Sequence, residues 1–146
     1  MNKIGRKLLA SLSAFALLAV LLIPASASAA VYVPPHEPDS PSNPIVLSAG
    51  DWSYPTLTPG DVDYFRFVNT FSYTRTYTLI VESPDGASYI PSSISGSGIV
   101  LVNPVRMEAG YFQFDIVVNP GAVVNIEVSG AGTPFYSPNP YFVLLL

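Results

Sequence analysis

The stretch Asp61-Val62-Asp63-Tyr64-Phe65-Arg66-Phe67-Val68-Asn69 alternates apolar and polar residues with a period of two. A β-strand points successive side chains to opposite faces, so Phe65 and Phe67 share one face while Tyr64 and Arg66 share the other. The same alternation recurs downstream. Tyr77, Leu79 and Val81 oppose Thr74, Thr76 and Thr78; Phe112, Phe114, Ile116 and Val118 oppose Tyr111, Gln113 and Asp115; Ala122, Val124, Ile126 and Val128 oppose Asn125, Glu127 and Ser129. Each run reads as a strand with one buried and one wet face. Breaks fall at Pro59-Gly60, Pro84-Asp85-Gly86, Gly96-Ser97-Gly98, Asn119-Pro120-Gly121 and Gly130-Ala131-Gly132, where glycine tolerates positive φ and proline presets a turn. Tyr141–Leu146 reads as a last strand, and no window beyond the leader carries helical spacing. These signals predict an all-β fold, an antiparallel β-sandwich of about seven to nine strands in two packed sheets, over residues 45–146.

Upstream of this domain the chain reads as an export signal. Lys3, Arg6 and Lys7 precede an apolar run from Leu8 to Ile23; Pro24 and the small residues Ala25–Ala30 follow. Cleavage is expected after Ala27 or Ala29, with Ala29 preferred, giving a signal peptide over 1–29. Sixteen residues from Leu8 to Ile23 are short of the ~20 needed to span a bilayer, so no stable membrane anchor is expected once the signal is cleaved. The product is then secreted, and it carries three arginines and no lysine against ten acidic residues, a balance of −7. That charge argues against nucleic acid as a partner, since phosphate binding relies on cations. The chain has no cysteine, which removes disulfides, thiolate metal sites and thiol nucleophiles. Residues 30–44 hold five prolines and read as an extended linker, with His36, Glu37 and Asp39 solvated rather than poised around a metal.

Two segments carry a family resemblance. Pro44-Ile45-Val46-Leu47 followed by Leu57-Thr58-Pro59-Gly60-Asp61-Val62-Asp63-Tyr64-Phe65-Arg66-Phe67 resembles the opening of the bacterial pre-peptidase C-terminal (PPC) domain. Pro120–Gly130 and Tyr141–Leu144 are similar to its closing strands, whereas the mid-domain strand near Leu79-Ile80-Val81 lacks the family's leading aspartate. The resemblance implies a jelly-roll-like sandwich that serves as an accessory or adhesive module outside the cell. It further implies collagen or polysaccharide as partners for some members and calcium for others.

Catalysis finds little support in the residues. The sole histidine, His36, lies in the linker, so a Ser-His-Asp triad has no base in the domain. Paired carboxylates for a hydrolase would have to come from Asp51, Asp61, Asp63, Asp85, Glu108 and Asp115, all expected at turns or facing solvent. Calcium is the stronger chemical candidate, with Asp51, Asp61 and Asp63 as oxygen donors beside turns; turn-capping of backbone N–H groups explains the same letters. A third candidate is an aromatic binding face. Trp52, Tyr64, Arg66, Tyr73, Tyr111 and Tyr136 would supply flat apolar area with polar tips, suited to sugar rings or an extended polypeptide. The alternative for each is to plug a sheet end or corner.

Two functional classes remain. The first is a non-catalytic binding module for an extracellular polymer, polysaccharide or protein, which expects one contiguous patch of exposed Tyr and Trp. The second is a structural protein of an envelope or matrix that pairs through sheet edges, with the lysine-free run Phe112–Val118 as the expected edge. Oligomeric state is not readable from the residues.

Overall fold

The alternation at 61–69 is realised in a computed structural model that describes residues 31–33, 40–130 and 136–146. The leader and linker residues 30 and 34–39, including His36, Glu37 and Asp39, lie outside the described residues. Seven strands follow in order: β1 (Ile45–Val46), β2 (Trp52–Ser53), β3 (Val62–Val68), β4 (Arg75–Glu82), β5 (Ile90–Glu108), β6 (Tyr111–Ser129) and β7 (Phe142–Leu145). The described residues contain no helix. The protein is therefore all-β, as the period-two pattern predicts.

Two expected turns turn out to be bends. Gly96-Ser97-Gly98 lies inside β5, and Asn119-Pro120-Gly121 lies inside β6, so both strands run for 19 residues. They pair with each other along nearly their whole length. On its other edge, β6 pairs with β4 through residues 111–118 and with β3 through residues 123–129. The seven strands thus form one sheet, with β6 as its spine, where two separate sheets are expected. The order runs β1-β3-β6-β4-β7-β2, with β5 alongside β6. All pairs are antiparallel except β1 with β3, which is parallel.

The sheet curls over on itself at the bend of β6, bringing the β3 wing against the β4–β7 wing. Phe67 on β3 meets Tyr77 on β4 with ring centroids 4.8 Å apart. Phe65, Phe67, Leu79, Val81, Ile116, Val124, Ile126, Val143 and Leu145 are buried together in one core. Burial of each such side chain contributes roughly 1.5–3 kcal/mol, which fixes the register of all four long alternating runs.

Asn69 holds the corner. Its side-chain amide donates to the carbonyls of Tyr73 (2.9 Å), Val118 (3.2 Å) and Asn119 (3.1 Å), while its Oδ1 accepts from Phe71 N–H (3.1 Å) and Tyr77 O–H (3.2 Å). Its backbone N–H donates to Ala122 and its carbonyl accepts from Gly121. One fully buried side chain therefore satisfies the polar groups that the bend strips from the ladder. Opposite it, Gly96 has φ +148° and a Cβ there would overlap the carbonyl oxygen of Val123, so only glycine lets β5 follow the bend.

The run Phe112–Val118, expected as an edge, is paired on both sides, by β4 and by β5. The long edge belongs to β5 instead. The segment 31–33, expected as linker, also joins the sheet. Val33 N–H donates to the Trp52 carbonyl (2.8 Å) and Trp52 N–H to that of Val31 (3.1 Å), while Ser53 Oγ donates to Val33 (2.7 Å). An exposed edge at β2 is covered in this way.

Candidate binding site: an aromatic surface beside Trp52

The register of three short pairings assembles this surface. Trp52 sits opposite Leu144 and Ser53 opposite Val143 in the β2–β7 ladder, so Trp52 and Leu144 share the outer face. One step along, Tyr54 meets Phe142, with ring centroids 5.2 Å apart. Tyr32 bridges to Trp52 from the N-terminal side, at 4.7 Å between rings. Trp52 also contacts Tyr54 edge-on at 5.4 Å and Phe142 at 6.4 Å. Four aromatic side chains from three separate segments thus touch one another on the outside of the sheet.

Two grooves adjoin along this surface. One, of about 350 Å³, is lined by Gly50, Trp52, Tyr54, Phe142, Leu144 and Leu146. The other, of about 310 Å³, shares Tyr54 and Phe142 and adds Glu82, Ser83, Pro84 and Pro140. The first is greasy and the second has a polar rim with one carboxylate. Tyr32 and Tyr54 are 42% and 43% exposed, and no hydrogen bond joins their hydroxyls or the Trp52 indole N–H to another described residue. Flat rings with unused polar tips can stack on an apolar ligand face and still hydrogen-bond to it.

The other expected ligand residues do not join Trp52. Tyr64 and Arg66 lie on the outside of β3, where Arg66 Nε donates to Asn125 Oδ1 (2.8 Å) and its Nη2 to the Pro41 carbonyl (3.2 Å), tying down the end of the linker. Tyr73 packs on Phe71 at the β3–β4 connection, and the guanidinium of Arg75 stands 4.4 Å over the Phe71 ring. Tyr111 lies under Arg106, 4.6 Å away, at the closed end of the β5–β6 hairpin. Tyr136 covers the buried Tyr89 and donates to the Gly130 carbonyl (3.2 Å). Tyr32, Tyr54 and Phe142 were not among the expected residues. The available signal was that Phe142-x-Leu144-x-Leu146 and Trp52-x-Tyr54 are apolar on the face opposite the core side chains Val143, Leu145 and Ser53.

The three aspartates are placed apart in role. Asp51 Oδ2 accepts from Ser48 N–H (2.7 Å) and closes the turn before β2. Asp61 Oδ1 accepts from Val62 N–H (2.8 Å) at the start of β3. Asp63 corrects the expectation that the acids face solvent. It is fully buried, because the alternation that turns Phe65 and Phe67 inward carries residue 63 inward as well. Its Oδ2 accepts from the Tyr141 hydroxyl at 2.6 Å. Burial, then the Asp63 charge and the hydrogen bond to it, push the Tyr141 hydroxyl well above its ordinary pKa, so Tyr141 stays a donor. Asp51 is buried too. Among the described residues no group of three or more His, Cys, Asp or Glu is arranged to hold a metal ion.

Comparison with known proteins leaves the surface as the functional clue: no protein-family model matches the chain, and no curated protein matches it.

Proposed function

We propose that this chain is a secreted, non-catalytic accessory module of PPC type, and that it binds an extracellular polymer, glycan or protein, on the surface around Trp52. The observation that carries this reading is the contact cluster Tyr32–Trp52–Tyr54–Phe142, whose two adjoining grooves make an elongated site rather than a closed pocket. Elongated, ring-lined and open at its ends, the site suits a chain that continues past it. Export is supported by the three-part leader, and the lack of catalysis by the placing of the only histidine outside the domain.

Trp52 is the only tryptophan, so its emission reports on this site alone. Titration with soluble fragments of cellulose, chitin and collagen is expected to shift that emission for one of them, with retention on the same polymer in insoluble form. Trp52→Ala is expected to abolish retention while leaving the far-ultraviolet spectrum of the fold unchanged. Retention by a folded Trp52→Ala chain would overturn this reading.

A further inference from the structure

Among the described residues β5 is the one long strand paired on a single side, and this edge has a composition that natural edges generally avoid. Among the described residues its only ladder partner is β6, and no turn or loop backbone bond reaches it from elsewhere. Within it, Gly98-Ile99-Val100-Leu101-Val102-Asn103 is a six-residue run with no charge and no proline. Val100 and Leu101, at its centre, are 58% and 53% exposed. Val100 is the extra residue of an irregularity and has no cross-strand partner in β6. Edges are usually defended by lysine, proline or inward charge, and short uncharged β-forming runs are the kind that pair with another chain. Here the defences stand at the ends of the run: Pro104, which lacks an N–H, at one side and the Gly96–Gly98 bend at the other.

We propose that the edge formed by Gly98–Asn103 pairs, antiparallel and about a two-fold axis, with the same run of a second copy of this chain. The run is self-complementary in that arrangement. With the axis at Leu101, Leu101 faces Leu101, Val100 faces Val102, and Ile99 faces Asn103 of the other copy. The central pairs set apolar residues against apolar ones, and no like charges meet. The charged residues nearest the run, Arg106 and Glu108, lie outside it and neutralise each other at 2.7 Å. Pro104 and the bend limit pairing to this short run, so the contact closes as a dimer. It joins two sheets in the order β2-β7-β4-β6-β5 followed by the reverse, with a Trp52 surface at each far end. Nine interstrand spacings of ~4.8 Å set those surfaces roughly 40 Å apart as measured along the sheet, which leaves both free for one polymer chain or for two.

The test is sedimentation of the purified protein from about 1 µM to about 1 mM, with a dimer dissociation constant on the order of 100 µM expected because a short strand pair buries little surface. Leu101→Lys and Leu101→Glu each place a like charge beside its own copy at the axis. Each variant alone is expected to keep the wild-type circular dichroism and to dimerise at least ~10-fold more weakly, whereas an equimolar mixture regains the dimer because the charges then oppose. A wild-type chain that is monomeric throughout, a species larger than a dimer, folded single variants that dimerise like the wild type, or a mixture that stays monomeric would each overturn the proposal. None of these readouts involves Trp52, so polymer retention stands or fails separately.

Discussion

The protein has two sets of aromatic rings, and they differ in what their polar ends do. Inside, Phe65, Phe67, Tyr77, Tyr89 and Tyr141 are at most 2% exposed, and every hydroxyl among them has a partner. Tyr77 donates to Asn69, Tyr141 donates to Asp63, and Tyr89 accepts from Ser137 N–H at 2.9 Å. Outside, Tyr32, Trp52, Tyr54 and Phe142 touch one another, yet their donors reach no described residue. A buried unsatisfied donor is costly, so the first arrangement is what folding requires. The second is tolerated only because water fills in, and it is the arrangement a ligand can exploit. Residue type alone therefore does not separate the rings that folding has sealed from those left open to water; burial with hydrogen-bond satisfaction does.

The contrast is broken most severely at Asn69. Asn69→Asp replaces an amide that donates to three carbonyls by a carboxylate that must face them. A loss of about 3 kcal/mol or more is expected, enough to lower the urea midpoint markedly. Asn69→Ala is expected to be milder, since it leaves groups unpaired without adding a buried charge. An unchanged midpoint for both would mean that the corner of β6 does not depend on this side chain.

Tyr141→Phe is expected to come next, at about 2 kcal/mol, because the buried Asp63 loses a charge-assisted donor. It also carries a pH signature. The Tyr141 pKa is raised on folding, so its contribution to stability is full below the ordinary tyrosine value of 10.0 and falls as pH rises above that value toward the folded one. Wild-type protein is expected to lose stability across that alkaline window, and Tyr141→Phe to lose less of it. Urea titrations at pH 8 and pH 11 make the comparison; equal slopes for the two proteins would remove Tyr141 from the account.

Much of this was legible along the chain. Period two placed Phe65, Phe67, Leu79, Val81, Ile116, Val124 and Ile126 in the core because a sheet with one wet face leaves that imprint on its sequence. β5 left none. A strand paired on one side and exposed on both faces over residues 103–108 has little burial to select an alternating pattern, so its glycines and prolines look like loop. The bends in β5 and β6 resemble turns for a local reason: glycine and proline mark a change of direction whether or not the strand resumes afterwards. The Trp52 surface was legible only in part, since Phe142 meets Trp52 through the pairing of segments some 90 residues apart and Tyr32 through a bridge from the segment upstream.

On the outer set the effects on stability shrink. Trp52→Ala removes a half-buried ring that packs on three neighbours, and about 1 kcal/mol is expected, against the abolition of polymer retention that the proposed function expects of the same substitution. A stability loss as large as that of Tyr141→Phe would make Trp52 a structural ring and place the binding surface elsewhere.

The smallest effect belongs to the exposed pair Arg106–Glu108, whose bidentate contacts of 2.8 and 2.7 Å look strong on paper. Both side chains are more than half exposed, so water and salt screen them and little stability follows. What the pair does show is a titration. The Arg106 guanidinium, chiefly by hydrogen bonding, holds the Glu108 carboxyl below its ordinary value. Its small stabilising effect is then present above the unfolded carboxylate range and fades as pH falls through the lower, folded value. Arg106→Gln is expected to return the Glu108 carboxyl, followed by NMR, to the ordinary range while the urea midpoint at pH 7 stays within error of wild type. Because the pair sits beyond Pro104 on the same strand as the Gly98–Asn103 run, that variant is also expected to leave dimerisation unchanged. A weakened dimer in Arg106→Gln would mean that the paired edge extends past Pro104, and the register about Leu101 would have to shift.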